Sequence, residues 1–159
     1  MKLTIKIVQK KRASLYMLND WFHLIKNLPR TKKRTDTLKK ITKYAIAYIE
    51  KKPIAIACIK KPQETYRNYL SKKIWIKSIP KYELWYCYSN KKYRNKGIAR
   101  KLIWKLINND LFATTKEDNI PIQRILKKYN FKRNWKPFQS KLGKYNIIFM
   151  RYLTKTKKK

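Results

Sequence analysis

The chain has 159 residues, 43% of them apolar and 14% aromatic, and 43 Lys and Arg against 8 Asp and Glu give it a formal charge of +35. That apolar and aromatic content excludes a disordered basic tail and suffices for one domain with a core. No apolar run reaches the roughly 20 residues of a membrane helix, so no membrane partner is expected. Two cysteines and one histidine exclude a disulfide framework and a zinc site.

The N-terminus alternates apolar and basic residues and has no continuous apolar stretch, so no signal peptide is expected and a reducing cytoplasm fits. The alternation of residues 3–9, LTIKIVQ, predicts a strand. Residues 12–28 carry Leu15, Leu18, Phe22 and Ile25 at helical spacing and stop at Pro29. His23 within them reads as a partly buried surface histidine rather than a ligand. Residues 35–44 read as a second helix capped by Thr35 or Asp36. Residues 44–50 and 53–61 read as two strands of a hairpin joined by Lys51 and Lys52, with Pro53 at a strand start. Residues 62–80 show no clear period, and KKIWIKSIP has room for a short strand.

Residues 82–89, YELWYCYS, predict a strand buried on both faces. From Gly97 on, Ile98, Leu102, Ile103, Leu106 and Ile107 form one helical face, and Arg100, Lys101 and Lys105 the other. A strand follows at 111–115. A helix at 117–129 turns Ile122, Ile125, Leu126 and Tyr129 inward and carries Pro121 in its first turn. Residues 131–135 and 145–153 are strands around a turn at Gly143, and 154–159 are an expected frayed basic tail. This order is mixed α/β.

Two readings of the charge stand. Only nine of the cations are Arg, and Lys, Ile, Asn and Tyr are abundant, as compositional drift would produce. Alternatively, the charge meets a polyanion such as nucleic acid or an acidic protein. Either way only Asp20, Asp36, Glu50, Glu64, Glu83, Asp110, Glu117 and Asp118 can supply a carboxylate to chemistry.

Gly97, one of only two glycines, stands between the cations Arg94 and Lys96 and a helix start. The free N–H groups of a helix N-terminus bind anions, and a glycine there lets a phosphate approach the backbone. The segment YELWYCYSNKKYRNKGIARKLI resembles the cofactor motif of the GNAT superfamily of N-acetyltransferases, with Arg94, Gly97 and Ala99 at its marked positions. NIPIQRILKKYNF is similar to the second motif of that family through Asn119, Lys128 and Phe131, and LFATTKEDN to the strand and turn before it. The segments IAIACIKKP and SKLGKYNIIFMRYL are similar to flanking strands of one uncharacterised branch.

The resemblance implies a single domain over residues 1–153 with a central, mostly antiparallel, splayed sheet flanked by helices. It implies acetyl-CoA as cosubstrate, its pyrophosphate on Arg94, Asn95, Lys96, Gly97, Ile98, Ala99 and Arg100. The pantetheine arm would pair along Cys87, Tyr88 and Ser89, with Asn119 opposite. The reaction implied is direct attack by a primary amine on the thioester, the acceptor linked to a polyanion such as nucleic acid. The alternative is a catalytically weak nucleic-acid-binding protein of the same fold.

Glu83 is the candidate base, acting through water, against the alternative of a surface glutamate paired with a lysine. Leu126 falls where the family has a tyrosine acid, so Tyr129 and Tyr145 are the candidate replacements, with core packing the alternative for Tyr129. Asn95, Lys91, Ile122 and Asn130 are further departures from the family pattern. Cys87 is a poor nucleophile candidate, since the family transfers directly and buried thiols are inert. Trp104, on the polar side of its helix, reads as an exposed aromatic, an interface contact or no contact at all, and a dimer is plausible.

Overall fold

The computed structural model describes residues 2–9, 19–20, 23–24, 40–107, 110–133, 136–140 and 143–153. The expected helix at 12–28 and the basic tail lie outside these residues, except that Asn19, Asp20, His23 and Leu24 are helical. His23 is exposed rather than partly buried. The chain forms two compact units, one of residues 1–61 and 85–107, the other of residues 62–84 and 108–159.

In the first unit β1 (Leu3–Gln9), β2 (Ile41–Ile49), β3 (Lys52–Lys60) and the second half of β4 (Tyr82–Ser89) lie side by side in that order. β1 with β2 and β2 with β3 are antiparallel. The helix expected at 35–44 does not extend past Lys40, because Ile41 already pairs with Lys60. The hairpin turn is Glu50–Lys51, not Lys51–Lys52, and both residues have positive φ (49° and 64°). That is the twist a two-residue hairpin loop requires. Pro53 lies opposite Tyr48 beside a register shift, where its missing N–H costs no ladder bond.

The period-2 pattern of β2 and β3 sorts their residues by size. Ala45 faces Ala57 and Ala47 faces Ala55, all wholly buried, on one side of the pair. Tyr44, Ile46, Tyr48, Ile56 and Cys58 form the other side, packed with Val8 and Leu24. Helix α2 (Ile98–Leu106) lies against β2 and β3. Its buried Ile98, Leu102, Ile103 and Leu106 use the room that the alanines leave.

In the second unit the first half of β4 runs parallel to β5 (Leu111–Lys116) over three pairs, Tyr82↔Leu111, Glu83↔Phe112 and Leu84↔Ala113. β8 (Asn146–Tyr152) lies antiparallel to β5 and also pairs with β6 (Phe131–Arg133) and β7 (Phe138–Gln139). Residues 62–80 contain no strand. They form α1 (Glu64–Ile74), whose Tyr66, Leu70 and Ile74 recur every four residues on one face. That face packs on Phe112, Phe138 and Phe149, with the Phe112 and Phe149 rings stacked 5.2 Å apart.

Helix α3 (Ile120–Lys128) carries Pro121 in its first turn, and Asn130 beyond its end has φ of 64°. Asn130 exchanges bonds with Leu153: its Nδ2 donates to the Leu153 carbonyl, and the Leu153 N–H donates back. Gln123 and Leu126 of α3 are buried, whereas Ile122, Ile125 and Tyr129 are only half-buried. The burial expected on both faces of β4 holds for Glu83 and Leu84 only; from Trp85 on, the described side chains are half-buried. The architecture is mixed α/β, mostly antiparallel strands with flanking helices. Among the described residues no helix is long and apolar enough to cross a membrane, and no cluster of metal-ligating side chains occurs.

Candidate active site

A single 3-10 turn, Lys91–Tyr93, carries the chain from β4 toward α2. Asn90 anchors it twice, donating its N–H to the Ile54 carbonyl on β3 (2.9 Å) and accepting the Lys92 N–H on Oδ1 (3.1 Å). Arg94 Nε donates to the Ser89 carbonyl at 3.2 Å, which holds the guanidinium over the strand end. Asn95 and Gly97 then take left-handed conformations, φ 63° and 72°. Asparagine and glycine are the residues that accept this region at least cost, so Asn95 makes the turn without a glycine.

The first intrahelical bond of α2 runs from the Lys101 N–H to the Gly97 carbonyl, 3.1 Å. The N–H groups of Ile98, Ala99 and Arg100 therefore have no acceptor within the helix. Gly97 offers no capping side chain, and the first turn holds no acidic residue. Arg94, Lys96 and Arg100 are exposed around these amides. Unsatisfied donors, the positive helix end and three cations with no local carboxylate fit a diphosphate.

On β4, Trp85 and Tyr88 both pack against the Tyr44–Ile46–Tyr48 cluster. Cys87 lies between them on the strand. Burial of its thiol pushes it up to about 12, so it holds its proton and is no nucleophile at neutral pH. Trp104 is exposed (59%) on the solvent side of α2.

Glu83 is not a surface glutamate. It is 1% exposed, and its Oε1 accepts the Thr114 hydroxyl at 2.7 Å. The pairing Glu83↔Phe112 and the two-residue period of β5 set Glu83, Phe112 and Thr114 on one face, the face that α1 covers. Burial first, and then the Glu83 charge, push the Tyr66 phenol of α1 well above the usual tyrosine range. Thr114 also acts on it, in the lowering direction.

Thr114 and Tyr66 escaped the sequence reading. The Tyr66–Leu70–Ile74 spacing could have shown the helix, but no local pattern links it to Glu83. Asn119 begins α3, exposed and making no capping bond, while Tyr129 closes the same helix at its other end. Leu126 is wholly buried.

The acetyltransferase (GNAT) family model matches residues 15–131, and the chain belongs to that family. It is an acetyltransferase by class. Among solved structures the chain is similar to the ribosomal-protein-S18-alanine N-acetyltransferase of Escherichia coli, with 12% identity, TM-score 0.64 and 98% of each chain covered. It is similar to the NatC complex bound to Gag peptide and CoA, with 14% identity and TM-score 0.68 over 98% of this chain and 100% of that one. A GNAT family acetyltransferase from Elizabethkingia anophelis with acetyl-CoA bound shares 14% identity, TM-score 0.61, over 96% and 98%. At these identities the likeness establishes the fold. No curated protein sequence matches the chain.

Proposed function

We propose that the chain transfers the acetyl group of acetyl-CoA to a primary amine. The single observation that carries the donor site is the start of α2, where uncapped amides follow two left-handed residues and stand among Arg94, Lys96 and Arg100. Arg94 through Arg100 would hold the diphosphate. The backbone of Cys87, Tyr88 and Ser89 would pair with the pantetheine arm as a further strand does, and Asn119 would offer its carboxamide to the same arm. Two structures similar in fold carry CoA or acetyl-CoA. When bound, acetyl-CoA supplies an activated acetyl thioester.

The chain's own residues must then bring up a neutral amine and manage its proton. An alkyl ammonium has a pKa near ~10.4, so a base assists at neutral pH. Glu83 is that base, acting at one remove because its carboxylate is buried. Tyr129 is the phenol assigned to hold the proton that Leu126 has no group to carry. The charge of +35 favours an acceptor attached to a polyanion such as nucleic acid and disfavours a free polycation.

Two measurements test this. Calorimetric titration with acetyl-CoA should show binding that Gly97→Glu weakens at least tenfold, about 1.4 kcal/mol. Equal affinity in the two chains removes the α2 start as the donor site. Transfer of labelled acetyl to tRNA, DNA, proteins and polyamines in parallel identifies the acceptor class, and transfer to polyamines alone overturns the polyanion reading.

A further inference from the structure

Helix α1 ends on a residue that its backbone does not favour. Trp75, directly after Ile74, takes φ of 54° and ψ of 38°, the left-handed region. Glycine or asparagine ordinarily closes a helix this way, and a bulky side chain is strained there. Among the described residues, the other left-handed positions beside helices are Asn95, Gly97 and Asn130.

Trp75 is nevertheless well anchored. Its N–H and that of Ile76 both donate to the Ser71 carbonyl, the second at 3.2 Å, and the Ser71 hydroxyl donates to the Ile76 carbonyl. Ile74 before it is wholly buried, and Ile76 after it packs on the cluster of Leu70, Phe112 and Phe149. With both neighbours turned in, the indole is turned out. It is 82% exposed, the most exposed large apolar side chain among the described residues.

Cations surround it in the chain. Lys72, Lys73 and Lys77 are all exposed. Lys72, three residues back, is a neighbour on the helix surface. Lys73 leans over the Tyr69 ring, its Nζ 6.0 Å from the centroid. No carboxylate occurs between Glu64 and Glu83, and Glu83 is buried. Drift toward Lys, Ile and Asn accounts for the lysines but not for a tryptophan where asparagine would be unstrained.

The chemistry of the patch selects its partner. The centre of a protein interface is poor in lysine. A membrane-surface helix needs a whole apolar face, and the apolar face of α1 is already spent on Phe112 and Phe149. A flat base carried on a phosphate chain needs an exposed aromatic ring with ammonium groups beside it. In a duplex the bases already stack on one another, so the strand must be single.

We propose that Trp75, with Lys72 and Lys77, forms a stacking platform for single-stranded nucleic acid. A base lies on the indole and its phosphates lie against the ammonium groups. The proposal narrows the polyanion reading to one surface and rests on that reading, not on acetyl transfer.

The test uses the whole chain with fluorescein-labelled oligo(U) and oligo(dT) of roughly 15 nucleotides, followed by anisotropy from about 50 to 200 mM salt. Trp75→Gly should weaken binding about tenfold with the salt slope unchanged. Its urea midpoint should stay level or rise, since glycine relieves the left-handed backbone. Trp75→Phe should bind within about threefold of wild type, because a ring remains. Lys72→Gln combined with Lys77→Gln should lower the slope of log affinity against log salt by about 1.4. Wild-type affinity in Trp75→Gly overturns the platform and leaves the polyanion reading standing. A lowered urea midpoint in Trp75→Gly assigns the indole to packing and overturns the platform too. Tighter wild-type binding to phosphatidylserine vesicles than to the oligomers, lost in Trp75→Gly, assigns the patch to a membrane surface and overturns it as well. No binding of either oligomer at about 50 mM salt overturns the polyanion reading itself.

Discussion

Cys87 occupies the strand along which the pantetheine arm would run, yet its chemistry is shut off. The thiol is pushed up to about 12 by burial, from an ordinary value of 9.0. An acid whose folded value is raised adds its full share of stability below the unfolded value. That share is lost as pH climbs from about 9 toward 12, because only the unfolded chain then ionises. Tyr44, Tyr48 and Tyr66 are shifted upward as well, each chiefly by burial, so they add to the same alkaline loss. The melting temperature should fall steadily above pH 9, with a smaller drop in Cys87→Ala. At pH 8 the native thiol should react with iodoacetamide at least tenfold more slowly than that of the urea-unfolded chain. Equal labelling rates would show an exposed sulfur and a different course for β4.

At the scale of the element, the proposed donor loop depends on how closely α2 sits on its sheet. The side of β2 and β3 that carries Ala45, Ala47, Ala55 and Ala57, each wholly buried, has only methyl groups at its centre. Ala57→Leu should cost about 1–3 kcal/mol or more in urea unfolding, because the helix must lift or the leucine must take a strained rotamer. Lifting α2 also moves its first-turn amides, so acetyl-CoA affinity should drop together with stability. A variant that loses stability but keeps full affinity would separate the loop from the helix packing.

Elements also show which local signals suffice. The α2 start was legible because everything it needs lies in one contiguous stretch, residues 82–106: a strand, a pair of residues that accept positive φ, and an amphipathic run. The β2–β3 hairpin was equally legible, although its turn lies one residue earlier, since Glu50 and Lys51 take positive φ without glycine or asparagine. Helix α1 was missed because Lys72, Lys73 and Lys77 interrupt the apolar run that follows Leu70. The Tyr66–Leu70–Ile74 spacing marks its apolar face, and Phe112 and Phe149 are what that face packs on.

For the molecule as a whole, the charge of +35 predicts binding to single-stranded RNA and DNA of any sequence at low salt. Affinity should fall about a thousandfold between roughly 50 and 200 mM salt if six or more phosphates are engaged. A filter-binding series that stays flat across that range would assign the lysines to compositional drift.

The amino-acid sequence alone determined the class of protein and the turn that leads into α2, because both are written in contiguous residues whose backbone preferences and periodicity act locally. Only the tertiary structure decided what surrounds Glu83. Tyr66, Glu83 and Thr114 come from three separate segments, and β-pairing together with the packing of α1 brings them onto one side of the sheet, where Thr114 donates to Glu83. Burial and hydrogen bonding between distant segments leave no periodic trace in any one of them.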